Sequence, residues 1–189
     1  MADATVPQAQ TDGRPGTPEA APGGHRPTGF RLYWWVCALV IGADQGSKAL
    51  VAATLPVFES VNIVPGFLDI VHVQNAGVAF GLLNNLDGAY RGVLTMSLAV
   101  LALLGIAYYA RQLRPEETLA RIGLSLILGG AIGNVIDRVS AGSVLDFVDV
   151  YWRDWHFWAF NVADASITVG AILVFADLLL VRRHAPDSV

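Results

Sequence analysis

The sequence predicts an all-α membrane protein with four transmembrane helices, extracytoplasmic loops and a small β-element between helices 1 and 2. The 189-residue chain is 54% hydrophobic and only 15% charged, whereas soluble domains carry about 25% charged residues. Its charges separate four apolar stretches, each close to the roughly 20 residues that cross a bilayer. A net charge of −4 without a dense basic tract argues against nucleic acid as a partner.

The ends of the chain differ from its middle. Residues 1–28 are rich in Pro, Gly, Ala, Thr and Gln and are predicted to form a flexible cytoplasmic tail. They do not have the pattern of a secretory signal, because the apolar run begins only at Leu32. Residues 29–184 are predicted to form one four-helix transmembrane domain, and residues 185–189 a short cytoplasmic tail.

The second helix has the cleanest pattern, because the 19 residues from Gly92 to Ala110 carry no charge. Each of the other three spans contains an acidic residue or ends at one. They are residues 32–55 with Asp44, residues 122–136 before Asp137, and residues 165–181 with Asp177.

The basic residues predict the orientation, since arginine and lysine concentrate on the cytoplasmic side. Eight of the 12 lie before the first span, between the second and third, or after the fourth: Arg14, Arg26, Arg31, Arg111, Arg114, Arg121, Arg182 and Arg183. Both termini are therefore expected to be cytoplasmic. The long connections 56–90 and 140–160 are expected to be extracytoplasmic and functional.

Three acids are predicted to share one outer layer of the bilayer. With a rise of about 1.5 Å per residue, Asp44, Asp137 and Asp164 lie roughly 20–27 Å from the cytoplasmic ends of their helices. Helical spacing offers partners, since Asp44 and Lys48 are four residues apart. Two further sets share helix faces, namely Asn134, Asp137 and Arg138, and Asn161 with Asp164. Such groups can simply hold helices together.

Asp146 and Asp164 have no basic residue at helical spacing. Two carboxylates that meet without a cation suit acid–base hydrolysis, because one holds a proton while the other activates water. An ordinary exposed loop acid is the competing interpretation of Asp146. The spacing alone leaves both interpretations open.

At these residues the sequence resembles the lipoprotein signal peptidases, also called signal peptidase II. Five blocks occur in the family's order: residues 44–48, 75–81, 133–138, 144–147 and 160–164. The resemblance implies an aspartic endopeptidase of the bacterial inner membrane, with its active site near the outer face. Such an enzyme cuts diacylglyceryl prolipoproteins before the lipidated cysteine, and needs neither a metal nor another cofactor.

The resemblance also assigns roles. It implies that Asp146 and Asp164 are catalytic, with Asp137 as the main rival for the first position. It implies that four residues hold the substrate backbone or orient the pair: Asn75, Asn134, Arg138 and Asn161. Asp44 and Lys48 resemble a brace between helices, and Asp137 supports the site with Arg138. The expected partners are the prolipoprotein and membrane lipid, and the sequence leaves the oligomeric state open.

Two other classes of protein compete with the peptidase. Intramembrane Asp, Lys and Arg also mark ion paths, so a small ion- or proton-coupled carrier is the main alternative. A carrier is expected to place its site near the midplane and to contain a repeat, whereas here the acids gather toward one face. A noncatalytic assembly subunit would have no use for two unpaired aspartates.

Overall fold

A computed structural model describes residues 29–76, 88–114 and 116–183. It contains four long helices, which are α1 (Gly29–Thr54), α2 (Gly88–Ala110), α3 (Thr118–Ala141) and α4 (Val162–Arg183). Each is long and apolar enough to cross a membrane. The prediction of four transmembrane helices is thus confirmed, while the predicted tails, residues 1–28 and 185–189, lie outside the described residues.

Close packing against α3 holds the bundle together. A Cβ added at Gly123 would lie 2.6 Å from the carbonyl oxygen of Gly170 on α4. One added at Gly130 would clash with the carbonyl of Ala163, and one at Gly129 would lie 2.9 Å from the carbonyl of Cys37 on α1. Small residues let helix backbones approach closely in a membrane, so α3 is the central helix.

α2 packs differently from the other three helices. None of its most apolar 18-residue window is buried within the chain, and its leucines include Leu98, Leu101 and Leu104 at 56–64% exposure. Such a surface suits contact with lipid rather than water. Only the end near Ile106 and Tyr109 packs against the small core formed by Leu113, Ala120 and Leu124.

The connections between the helices form an antiparallel sheet of four strands in the order β1–β2–β3–β4. The strands are β1 (Ser60–Val64), β2 (Leu68–Asn75), β3 (Val144–Trp152) and β4 (Trp155–His156). The predicted β-element between helices 1 and 2 is therefore confirmed. The connection after α3 was predicted only as a long loop, but its alternating Val144-Leu-Asp-Phe-Val-Asp-Val run pairs with β2 and extends the sheet.

Candidate active site

Asp146 is placed by the pairing of β3 with β2. It lies opposite Val73, so it comes close to Asn75 at the end of β2. The Asp146 side chain is almost fully buried, at 3% exposure. Its Oδ2 accepts a hydrogen bond from Nδ2 of Asn75 at 3.0 Å, and its Oδ1 accepts one from Nδ2 of Asn161 at 2.7 Å. Asp146 is thus not an exposed loop acid.

Asp164 is placed by the start of α4. The helix begins at Val162, three residues earlier than the predicted span, and Asn161 immediately precedes it. The Asp164 backbone N–H donates to Oδ1 of Asn161 at 2.9 Å, and the Asn161 N–H donates to Oδ2 of Asp164 at 3.3 Å. This reciprocal arrangement is a capping box, a motif that starts a helix. Asn161 was predicted to lie on the helix, but it caps it, because asparagine is a favoured N-cap residue.

Amides alone hold the two carboxylates. Asn161 contacts both, and Nδ2 of Asn134 adds a hydrogen bond to Oδ1 of Asp164 at 2.8 Å. Within the described residues, no lysine, arginine or histidine nitrogen lies within 4 Å of either carboxylate. We call Asp146 and Asp164 the amide-held pair. Its members are the two acids that the sequence pattern leaves without a cation.

The other two acids of the layer form an ion-paired cluster, defined by Asp44, Lys48 and Asp137. Nζ of Lys48 lies 2.8 Å from Oδ2 of Asp44 and 2.7 Å from Oδ2 of Asp137. The pairing of Asp44 with Lys48 agrees with their predicted helical spacing. The Asp44 side chain is fully buried, and its Oδ1 accepts the Ala163 N–H at 3.0 Å. The cluster therefore joins α1, α3 and α4.

Gln45 contacts this cluster, although the sequence predicted no role for it. Its Nε2 lies 2.8 Å from Oδ1 of Asp137, and 3.2 Å from both Oδ2 of Asp44 and the Gly133 carbonyl. A polar side chain within an apolar span needs partners, and this signal could have identified it. The sequence around Gln45 could not predict that Gly133 and Asp137, which lie on α3, are its partners.

Asn134 links the two groups of acids. Its Oδ1 accepts hydrogen bonds from Nζ of Lys48 at 3.1 Å and from Nδ2 of Asn161 at 3.3 Å, while its Nδ2 binds Asp164. Asn134 therefore connects α1 and α4 through α3, and Asn161 extends this network to Asp146 on β3.

Arg138 lies close to the acids without pairing directly with Asp137, the residue with which the sequence grouped it. Its Nη1 donates to the carbonyl of Asn134 at 3.1 Å. Its Nε is buried and has no hydrogen-bond partner among the described residues. Its charge nevertheless interacts with Asp164, Asp146 and Asp137. The direct cation for Asp137 is Lys48, because α1 reaches it across the bundle.

Comparison with known proteins shows the family of the chain. A family model described as signal peptidase (SPase) II matches residues 36–180, which is most of the chain. The chain belongs to the signal peptidase II family. This membership makes it an aspartic-type endopeptidase, and favours the enzyme over the ion-coupled carrier.

Similar proteins cover nearly the whole membrane part of this signal peptidase. A lipoprotein signal peptidase of Geobacter metallireducens is 42% identical over 160 residues, covering 84% of this chain and 98% of the relative. One from Syntrophotalea carbinolica is 46% identical over 144 residues, covering 75% of this chain and 86% of the relative. A bacterial membrane enzyme solved by the in meso method at 2.3 Å resolution superposes with a TM-score of 0.71 at 28% identity, covering 84% of this chain and 94% of the solved chain.

The electrostatics of Asp146 suit a peptidase. The pKa of Asp146 is raised from 3.8 to about 6, mainly by burial and also by the negative charge of Asp164. Hydrogen bonds from Asn75 and Asn161 and the more distant charge of Lys48 oppose this shift. Asp146 therefore holds a proton far more readily than an ordinary aspartate, which suits acid–base catalysis. Among the described residues, no group of three or more His, Cys, Asp or Glu side chains could hold a metal ion.

Proposed function

We propose that this signal peptidase removes the signal peptides of diacylglyceryl-modified prolipoproteins by cutting just before the lipidated cysteine. Asp146 and Asp164 are the catalytic residues of this proposal. The observation that carries it is the amide-held pair, two carboxylates that share Asn161 and have no direct cation among the described residues. The names of the relatives support the substrate class.

The two aspartates take different roles in the proposed mechanism. Asp164 accepts a proton from a water molecule, whose oxygen attacks the scissile carbonyl carbon. The carboxyl proton of Asp146 stabilises the negative oxygen that develops on the tetrahedral intermediate. Asp146 is assigned this role because it is the more deeply buried carboxyl, with a pKa of about 6.

Collapse of the intermediate completes the reaction. The bond between the carbonyl carbon and the cysteine nitrogen breaks, and the leaving nitrogen takes up a proton from the aspartate pair. The products are a signal peptide with a new carboxylate and a lipoprotein with a free amino group on its first cysteine. Water is the only co-reactant.

The remaining site residues position the pair and the substrate. Asn75, Asn134 and Asn161 donate N–H groups to the carboxylates, and amides can also bind a peptide backbone without adding charge. The buried Nε of Arg138 provides one further donor beside the acids. The ion-paired cluster braces α1, α3 and α4 around them.

The proposed setting is a bacterial inner membrane, with both termini in the cytoplasm and the active site near the outer face. The distribution of basic residues supports this orientation. The substrate then approaches sideways through the bilayer with its acyl chains in lipid, and only the peptide near the cleavage site enters the polar region.

The test is cleavage of a diacylglyceryl prolipoprotein by purified variants in lipid. Asp146→Asn and Asp164→Asn are each expected to reduce kcat at least 100-fold, because acid–base catalysis contributes about 10²–10⁴-fold. Asp149→Asn is the matched control, since Asp149 lies on the same strand but pairs with His156 at 2.9 Å. Asp137→Asn tests the rival residue and is expected to retain measurable cleavage. Full activity of either Asp146→Asn or Asp164→Asn would overturn the assignment.

A further inference from the structure

A cavity of about 130 Å³ lies between α1, α2 and α3, at the end of the helices away from the aspartates. Its wall is largely apolar and includes Tyr33, Trp34, Ile106, Leu124 and Leu128. Trp34 and Ala107 are exposed where they line it, so the cavity opens at the surface of the bundle, and an apolar surface of this kind suits contact with lipid. In a bilayer, part of an acyl chain can therefore fill it.

Arg121 provides a fixed positive charge at the wall of this cavity. Its Nε donates to the Arg114 carbonyl at 2.9 Å, and its Nη2 donates to the Leu113 carbonyl at 2.6 Å. The guanidinium carbon also lies 5.8 Å from the centre of the Tyr33 ring. A guanidinium has five N–H donors, and the three not used in these bonds have no acceptor among the described residues. They are available to a phosphate, which arginine binds well.

The surrounding charges favour an anion. The connection that precedes α3 carries the exposed Arg111, Arg114 and Glu116 and the half-buried Glu117. The Glu117 carboxylate already accepts the Arg114 backbone N–H. With Arg121 included, this region contains three cations and two acids, so it carries a net positive charge.

We propose that this cavity is a binding site for an anionic phospholipid, with part of one acyl chain between the helices and the phosphate on Arg121. The site lies in the leaflet at that end of the bundle. It is separate from the aspartates, and it does not depend on the proposed catalytic mechanism.

The two adjacent tryptophans of α1 allow a direct test. Trp34 lines the cavity, whereas Trp35 does not and is 70% exposed. Two full-length variants, each retaining one of these tryptophans with the other four replaced by Phe, are reconstituted into phosphatidylcholine vesicles. Fluorescence quenching is then measured with brominated phosphatidylglycerol or brominated phosphatidylcholine. Trp34 is expected to show about a five-fold preference for phosphatidylglycerol, since one basic residue near an anionic headgroup contributes about that factor. Trp35 is expected to show none.

Variants of the cavity and the arginine complete the test. Ala107→Leu fills the cavity from α2 and is expected to abolish the preference at Trp34 while leaving Arg121 in place. Arg121→Gln is expected to reduce the preference to below two-fold, with helix content checked by circular dichroism. Equal quenching of Trp34 by both lipids, or a preference that survives Ala107→Leu, would overturn the proposal. A preference that appears only after deletion of residues 1–28 would also overturn it, because the tail would then occupy the cavity.

Discussion

The ion-paired cluster and the amide-held pair are adjacent, yet they stabilise buried carboxylates by different means. In the cluster, Lys48 lies within 2.8 Å of both Asp44 and Asp137. In the pair, Asp146 and Asp164 receive hydrogen bonds from asparagines and have no cation within 4 Å among the described residues. A direct cation holds a carboxylate in its charged form. Amides satisfy the oxygens without neutralising the charge, so a proton can still be gained or lost.

This difference separates the structural carboxylates from those suited to chemistry. Protonation of Asp44 or Asp137 would break a buried ion pair with Lys48, so this cluster suits a structural role. The amide-held pair keeps its geometry in either protonation state, because the capping box and the β2–β3 pairing fix the backbones that carry it. The two groups are therefore expected to respond differently to substitution.

The largest effect is expected from removing the cation of the ion-paired cluster. Lys48→Met leaves Asp44 and Asp137 buried without a direct cation, and such losses destabilise proteins by about 3–5 kcal/mol. The measurement is the free energy of unfolding in detergent micelles. The triple variant with Asp44→Asn and Asp137→Asn is the control, and it is expected to recover part of the loss. A loss below about 1 kcal/mol for Lys48→Met would show that the cluster does not brace the bundle.

In the amide-held pair, removal of a charge is expected to raise the free energy of unfolding, whereas in the cluster it lowers it. The pKa of Asp146 is raised from 3.8 to about 6 in the folded chain, and each pKa unit corresponds to about 1.4 kcal/mol. The folded state therefore loses up to about 3 kcal/mol of stability as the pH rises from about 4 to about 6. Asp146→Asn removes this penalty, so it is expected to abolish activity while stabilising the protein by about 1–3 kcal/mol at pH 7.

The pH dependence provides the control for this prediction. Because the variant has no carboxyl at position 146, the loss of stability between about pH 4 and pH 6 is expected to be smaller than in the wild type. Asp149→Asn on the same strand is expected to change stability by less than about 0.5 kcal/mol, since its partner His156 is exposed. Destabilisation by Asp146→Asn at pH 7 would contradict the contrast.

The sequence predicts the four helices because each apolar run between charged residues is about as long as a helix that crosses a bilayer. It also separates Asp146 and Asp164 from Asp44 and Asp137 by the absence of local cations. The pairing of Lys48 with Asp137 could not be predicted, because it depends on how α1 packs against α3. The close approach at Gly129 that permits this packing is a property of the assembled bundle.

The connection between α3 and α4 shows a different limit of prediction from the sequence. Its apolar and acidic residues alternate, but a strand of this length forms only when a neighbouring strand is present. β2 lies about 70 residues earlier in the sequence, and the Val73 to Asp146 register comes from tertiary structure. The burial of Asp146, and with it the raised pKa, was therefore beyond what local pattern could predict. The amide-held pair depends on this long-range contact.

A smaller loss is expected for Gln45→Leu, which keeps a similar volume but removes the amide. Asp137 and the Gly133 carbonyl then lose a buried donor, and an unsatisfied buried acceptor costs about 1–3 kcal/mol. The exposed Gln112 is the matched control, and Gln112→Leu is expected to have no measurable effect. Because Gln45 binds Asp44, Asp137 and the Gly133 carbonyl rather than the amide-held pair, its loss should lower stability with less than a ten-fold change in kcat. A loss of kcat as large as that of Asp164→Asn would place Gln45 in the catalytic machinery instead.

The smallest expected effect is energetic coupling between the two groups. Asn134 accepts hydrogen bonds from Lys48 and Asn161, so a shift in the ion-paired cluster can reach Asp146 through two amides. Gln45→Leu combined with Asp146→Asn is expected to depart from additivity by about 0.5–1 kcal/mol, whereas independent sites add to within about 0.5 kcal/mol. Repeating the cycle with Asn134→Ala is expected to restore additivity. Coupling that persists without Asn134 would show that another contact links the two groups. Arg138 is the first residue to test in that case, because its charge interacts with acids of both groups.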